Sequence, residues 1–310
     1  MNARPSKQAR YERVGMKSAT FDSWGVGLRA KHFQDWHAAS SIPMLEIMAD
    51  NLIHHEGGPA LWHTSRIVER AAAVVLHGVA MNIGGTTPLS LNYLAGIQKL
   101  IERFKPLVVS DHLCFSQAAG LQSYELLPLI RSRETLEHVI ERVDFVQQFL
   151  GHQFTLENIS AYVAYKDNSI PDGDFLSEIA YRSGCGILLD VNNVFVTSKN
   201  FNLDPLDELK RFDLNAVNQI HVAGHSLKED FLFDTHDSQV CTDVWDLLRK
   251  TLETFEVCNY RRVPVILEND NSEVILSDLL NELEAGKKFC LFGTPGTTSE
   301  SSGRPTANGN

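Results

Sequence analysis

Short runs of apolar, β-prone residues recur along this chain, and longer amphipathic stretches fill the intervals between them. The candidate strands are 25–28 (GVGL), 43–48 (PMLEIM), 73–77 (AVVLH), 107–110 (LVVS), 154–157 (FTLE), 186–190 (GILLD), 218–222 (NQIHV) and 263–268 (VPVILE). Several are apolar at consecutive positions, as parallel strands covered on both faces must be. Helical periodicity fills the gaps at 91–104, 133–150 and 244–255, the second opened by Ser132 and acidic in its first turns. Eight strands interleaved with helices predict an α/β fold, a (β/α)8 TIM barrel. An open doubly wound sheet shares the alternation, but neither GxGxxG after a strand nor GxxxxGK[ST] is present.

The 310 residues suit one such barrel, which takes about 250. A single domain is expected over 21–291, between a polar N-terminal segment, 1–20, and a Gly/Ser/Thr/Pro-rich tail, 292–310, neither able to bury a core. Both tails are expected to be disordered. Five scattered cysteines, Cys114, Cys185, Cys241, Cys258 and Cys290, form no CxxC pair and suggest neither a disulfide framework nor a thiolate zinc site. Cys185 and Cys290 read as core residues. Without a signal-like or membrane-length apolar run, a cytoplasmic protein with no membrane partner is expected. A net charge of −11 argues against a nucleic-acid partner.

The chemistry is written at the strand ends. His77, His112, Glu157, Asp190, His221 and Glu268 each close, or nearly close, a candidate strand. In a barrel, all C-terminal strand ends meet on one face. Any one of these residues alone reads as a satisfied polar group or a helix cap. Together they would crowd carboxylates into one mouth, where cations must offset the repulsion. A second cluster lies in FLFDTHD (231–237), where Asp234 and His236 on extended backbone would point to one side. Asn193 could join them through its amide oxygen. The alternative for DTHD is an Asx turn. Imidazole and carboxylate without thiolate suit iron, manganese or zinc. Glu157, lying between the two groups of strands, is the natural bridging carboxylate.

His225 in HVAGH reads equally as an acid or base facing the cavity and as a loop cap. Asn158 could orient a substrate, as could Tyr162, although packing explains both. Asp111, beside His112, is the third catalytic candidate with His225 and Asn158. His54 and His55 fall in a polar loop and read as solvated.

At these positions the chain resembles the multinuclear non-haem iron-dependent oxidative enzymes. The motifs are LHGV (76–79), VSDHL (109–113), LLPL (126–129), LENISAY (156–162), GCGILLDVNNVFV (184–196), HVAGH (221–225) and DTHD (234–237), in family order from about Gly25 to Leu283. The family is similar to xylose-isomerase-like and endonuclease IV-like barrels. Two departures are visible: Ala49-Asp50-Asn51 where the family has Ala-Glu-Asn, and Glu268-Asn269-Asp270 where it has Glu-Trp-Asp.

The resemblance implies oxidation of a ribosomally made precursor peptide at cysteine, using dioxygen and two or three iron ions in mixed Fe(II)/Fe(III) states. In its narrowest form it implies excision of the β-carbon of a C-terminal cysteine. It also implies a small leader-binding partner protein forming a heterodimer. Carried over, His77, His112 and Glu157 would hold one iron. Glu157, Asp190, His221 and Glu268 would hold a second, and Asn193, Asp234 and His236 a third. The competing readings are a trinuclear zinc hydrolase or phosphodiesterase, a sugar isomerase needing a lysine near its metals, and a non-catalytic metal-binding subunit.

Overall fold

The computed structural model describes residues 23–118, 121–257 and 263–292. Cys258, the N-terminal segment and the tail from 293 onward lie outside these residues. The last helix runs through Phe292, one residue into the segment expected to be tail.

Eight parallel strands close a barrel: β1 (Trp24–Gly27), β2 (Met44–Met48), β3 (Val74–His77), β4 (Val109–His112), β5 (Thr155–Glu157), β6 (Gly186–Asp190), β7 (Val217–Ala223) and β8 (Val265–Glu268). Each pairs with its sequence neighbours in the set, and β1 closes the ring on β8. This is the expected (β/α)8 barrel. β4 differs from its expected span, 107–110, by a two-residue shift that brings Asp111 and His112 into the sheet.

The surrounding helices are α1 (Phe33–Ala38), α2 (Pro59–Val68), α3 (Leu91–Phe104), α4 (Arg133–Leu150), α5 (Asp172–Ser183), α6 (Val191–Asn200), α7 (Pro205–Leu209), α8 (Thr242–Val257) and α9 (Leu276–Phe292). Local chemistry sets several of their starts. Ser90 and Ser132 accept from the backbone N–H groups of Tyr93 and Thr135, capping α3 and α4. α3 buries Leu94, Ile97 and Leu100 on its barrel face, and α4 buries Val139, Val143 and Val146. Full burial of such a side chain contributes about 1.5–3 kcal/mol. Two antiparallel ribbons, Phe115–Ala118 with Leu121–Leu127 and Ser226–Lys228 with Phe231–Phe233, rise from the loops after β4 and β7.

Alternation along the strands sorts the barrel interior into layers. Met44, Val75, Val108 and Ile266 form a small apolar cluster of their own. Two residues further along three of those strands stand Glu46, His77 and Glu268, all buried. The register places His112 opposite Glu157 and Asp190 opposite His221. An apolar floor thus lies beneath a buried polar layer, and that layer faces the C-terminal mouth.

Candidate metal centre

The six strand-end residues converge. The Nε2 atoms of His77 and His112 lie 3.3 and 3.2 Å from the same Glu157 oxygen, Oε2. The other Glu157 oxygen lies 3.4 Å from His221 Nδ1, which is 3.1 Å from Glu268 Oε2. Two groups of side chains result: His77, His112 and Glu157, and Glu157, Asp190, His221 and Glu268. Within each group the ligand-type atoms lie within 4.8 Å of one another. Glu157 belongs to both.

Orphaned atoms test whether a cation fits. Glu157 Oε2, Asp190 Oδ2, Asn193 Oδ1, His221 Nδ1 and His236 Nε2 are buried and have no hydrogen-bond partner. Leaving one such atom unsatisfied costs about 1–3 kcal/mol. The separations of 3.1–3.4 Å lie at or beyond the long end of the hydrogen-bond range. They match the edges of a coordination shell whose bonds are about 2.0–2.2 Å. The donor set fits a transition-metal cation.

The outer nitrogens of three histidines reinforce this. His77 Nδ1 lies 2.8 Å from Ser110 Oγ, and His112 Nδ1 lies 3.1 Å from the Gly78 carbonyl. His221 Nε2 lies 2.7 Å from Glu46 Oε2. When the rings are neutral, an N–H donated outward in each case leaves the inward nitrogen with its lone pair for a metal.

Asp190 is held at the junction of β6 and α6. Its Oδ1 accepts from the Asn193 N–H at 2.6 Å, so it caps α6 and keeps Oδ2 free. Asn158 spends both ends of its amide on the Asp190 backbone, at 2.9 and 3.0 Å. Both contacts clamp Asp190 at the end of its strand. The Asn158 carbonyl accepts from Asn193 Nδ2 at 3.0 Å, leaving Asn193 Oδ1 unpartnered. Asp111 also acts on the scaffold: Oδ2 accepts from Tyr93 Oη and Met81 N, and Oδ1 from the His112 N–H.

The DTHD loop meets this core. His236 Nε2 lies 2.7 Å from Asp234 Oδ1, and His236 Nδ1 lies 3.7 Å from Glu268 Oε2. The backbone at His236 is not extended but left-handed, φ 50°. The two side chains meet through this local twist, not through strand alternation. Asp234 is tied by its N–H to Tyr162 Oη at 3.0 Å and by Oδ1 to Asn192 Nδ2 at 2.7 Å. Asp237 instead anchors the loop, accepting from Thr235 and Ser226. His225 stacks on Phe195 and shares a 2.7 Å contact between its Nδ1 and Asn192 Oδ1.

The charges are strongly perturbed. Burial, with His112 and His221 beside it, holds the His77 pKa well below its ordinary range, so its imidazole is neutral. Burial and the Asp234 and Glu157 carboxylates push Asp190 well above the usual carboxylate range. Burial opposes the charge on Glu268, yet His221 and His236 hold its carboxyl well below that range. Burial outweighs Asp234 at His225 and lowers its pKa.

Sequence reading passed over Glu46, wholly buried on β2 and in contact with His221 across the barrel. The available signal was a lone carboxylate inside an otherwise apolar run, PMLEIM, a position that charges occupy only when paired. Cys185 and Cys290 are buried, and His54 and His55 are exposed.

Fold and site together define a (β/α)8 barrel with buried His and carboxylate clusters, capable of holding metal, at the C-terminal strand ends. Residues 23–290 match the family described as RiPP precursor modification enzyme MbnB/TglH/ChrH, RiPP denoting a ribosomally synthesised and post-translationally modified peptide. The chain belongs to this family. It is 41% identical over 260 residues to a UPF0276 protein of Anaeromyxobacter sp. (strain Fw109-5), spanning 83% of this chain and 89% of that one. A UPF0276 protein of Acaryochloris marina is 35% identical over 274 residues, 87% and 96% of the two chains. Among solved structures, endonuclease IV from Thermus thermophilus superposes with a TM-score of 0.56 at 16% identity, covering 86% of this chain and 98% of that one. The 3-keto-D-glucoside 4-epimerase YcjR from E. coli gives 0.55 at 14%, covering 86% and 99%. At such identities the likeness is one of fold. Among the described residues, no helix is long and apolar enough to cross a membrane.

Proposed function

We propose that this chain is an iron- and dioxygen-dependent oxidative enzyme that modifies a cysteine of a ribosomally made precursor peptide. The observation that carries the reading is the set of orphaned, inward-facing ligand atoms shared between two groups through Glu157. The family supplies the peptide substrate. His77, His112 and Glu157 would hold one iron, and Glu157, Asp190, His221 and Glu268 a second. Asn193, Asp234 and His236 would hold a third.

Bound iron would supply a thiolate anchor and a site for dioxygen reduction. The chain's own residues do the rest. The carboxylate-rich layer offsets the cationic charge, and the apolar floor of Met44, Val75, Val108 and Ile266 closes the barrel below it. Asn158 and Asn193 fix Asp190, while Tyr162 and Asn192 fix Asp234. His225, oriented by Asn192 and with its pKa lowered by burial, would take or return a proton during turnover. Excision of the β-carbon of a C-terminal cysteine is the specific reaction proposed, with a small leader-binding protein as heterodimeric partner.

The test is mass spectrometry of a candidate precursor peptide co-expressed with this chain and such a partner, in air and under anaerobic conditions. A mass change at cysteine that requires air supports the reading. An unchanged peptide with the partner present, or equal conversion without dioxygen, overturns it. Stoichiometric zinc with hydrolysis of a phosphodiester would support the hydrolase instead.

A further inference from the structure

Glu46 is a fully buried carboxylate on β2 whose register partners on the neighbouring strands are Gly27 and Val75. It reaches across the barrel to β7. Its Oε2 lies 2.7 Å from His221 Nε2 and 2.6 Å from Gln219 Nε2, and those two nitrogens are 2.8 Å apart. Three atoms at these spacings form a near-equilateral triangle in which the carboxylate oxygen is the common acceptor. On the other side of the same ring, His221 Nδ1 faces Glu268 and Glu157 and has no hydrogen-bond partner.

A neutral imidazole carries one N–H and one lone pair. Donation of Nε2–H to Glu46 therefore puts the lone pair on Nδ1, the atom that faces the four-residue ligand group. Glu46 itself stands outside that group. We infer that Glu46 is the positioning residue of the His221 site: it selects the tautomer of His221, fixes the ring's orientation and raises the donor strength of Nδ1. Gln219 holds Glu46 in place from the same strand as His221. The inference rests on the reading that the His221 group binds a metal ion. A buried carboxylate is costly unless it is hydrogen-bonded, and this geometry supplies two donors to Glu46 Oε2 while leaving Oε1 without a partner.

Glu46→Gln keeps the volume of the side chain and removes its charge, whereas Glu46→Ala removes the acceptor as well. Metal-free protein would be titrated anaerobically with Fe(II) against a competing chelator, and separately with Co(II), whose visible absorption reports coordination number. His221→Ala and wild type are the references. One ion should bind about tenfold more weakly in Glu46→Gln and up to about 100-fold more weakly in Glu46→Ala. The Co(II) spectrum of that ion alone should change, and the ion of the His77 and His112 group should bind as in wild type. If Glu46→Ala does not fold, the isosteric Gln variant carries the test. Wild-type binding and spectra in Glu46→Gln and in any folded Glu46→Ala, with one ion lost in His221→Ala, would overturn the role of Glu46 and leave the site standing. Full metal binding by His221→Ala would overturn the site reading itself.

Discussion

His236 Nε2 lies 2.7 Å from Asp234 Oδ1 without a hydrogen-bond partner, on a backbone turned left-handed at φ 50°. A residue other than glycine in that region costs about 1–2 kcal/mol. The surrounding contacts hold it there: the Asp270 N–H donates to the His236 carbonyl at 2.7 Å, and the His236 N–H donates to the Gly224 carbonyl at 3.1 Å. Strain that holds an imidazole against a carboxylate at the barrel mouth is of the kind that clusters at functional sites.

His236→Gly removes that strain and the imidazole together. In alkaline solution, where the pairing of a charged His236 with Asp234 and Glu268 no longer contributes, metal-free protein carrying this change should unfold at or slightly above the wild-type temperature, while its metal content falls. Thermal unfolding in chelator, paired with elemental analysis, checks both halves. A large loss of stability with metal content intact would show His236 to be a packing residue.

Asn158 offers a different test, because its amide donates to and accepts from one residue. Asn158→Asp keeps the acceptor for the Asp190 N–H and loses the donor to the Asp190 carbonyl. The buried carbonyl then loses this donor and faces an added carboxylate, and the fold should lose about 1–3 kcal/mol. Denaturant unfolding of metal-free protein measures this. Unchanged stability would mean that the clamp contributes nothing.

Much of this architecture was legible because strands buried on both faces must be apolar and because barrel strand ends share one mouth. His77, Glu157, Asp190, His221 and Glu268 could be read from those two rules alone. β4 was displaced by two residues because Ser110, Asp111 and His112 are polar, and their pairing with β5 is a tertiary fact. Glu46 was hidden because the run that holds it is five-sixths apolar, and the reason for its burial sits 175 residues away on β7. The approach of Asp234 to His236 was foreseen, but the backbone that produces it was not, since positive φ at a histidine has no sequence signature. The hydrogen-bond partners of Asn158 and Asp111 could not be assigned before the fold was known.

The charges predict a pH dependence with opposite signs for the metal-free and metal-loaded protein. Burial opposes the charge on His112, but Glu157 and Asp111 push its pKa from the ordinary 6.5 up to about 9. His221 and His236 are also raised against burial, by Glu268, Glu46 and Glu157 and by Asp234 and Glu268. A histidine whose pKa is raised by folding stabilises fully below about pH 6.5, and that contribution fades as pH rises toward the folded value. Metal binding needs the same rings deprotonated and so strengthens over that window. Between pH 6.5 and 9, the unfolding temperature in chelator should fall and the shift produced by added Fe(II) should grow. A shift that shrinks with rising pH would contradict this.

Packing of the last two long helices rests on a glycine. A Cβ at Gly286 of α9 would lie 2.2 Å from Trp245 Cη2 on α8. Gly286→Val should therefore cost about 1–3 kcal/mol by overpacking. Metal content should be unchanged, because α8 and α9 supply no ligand. Loss of metal in a variant that remains folded would tie this helix pair to the centre.

Metal stoichiometry of anaerobically purified protein, wild type beside Glu157→Gln, tests the central claim most directly. Glu157 is the one residue common to both ligand groups. The account predicts at least two metal ions per wild-type chain, with iron supporting peptide oxidation, and loss of both ions in Glu157→Gln while the fold is retained. A wild-type chain holding fewer than two ions, or a Glu157→Gln chain that keeps its full complement, would contradict it.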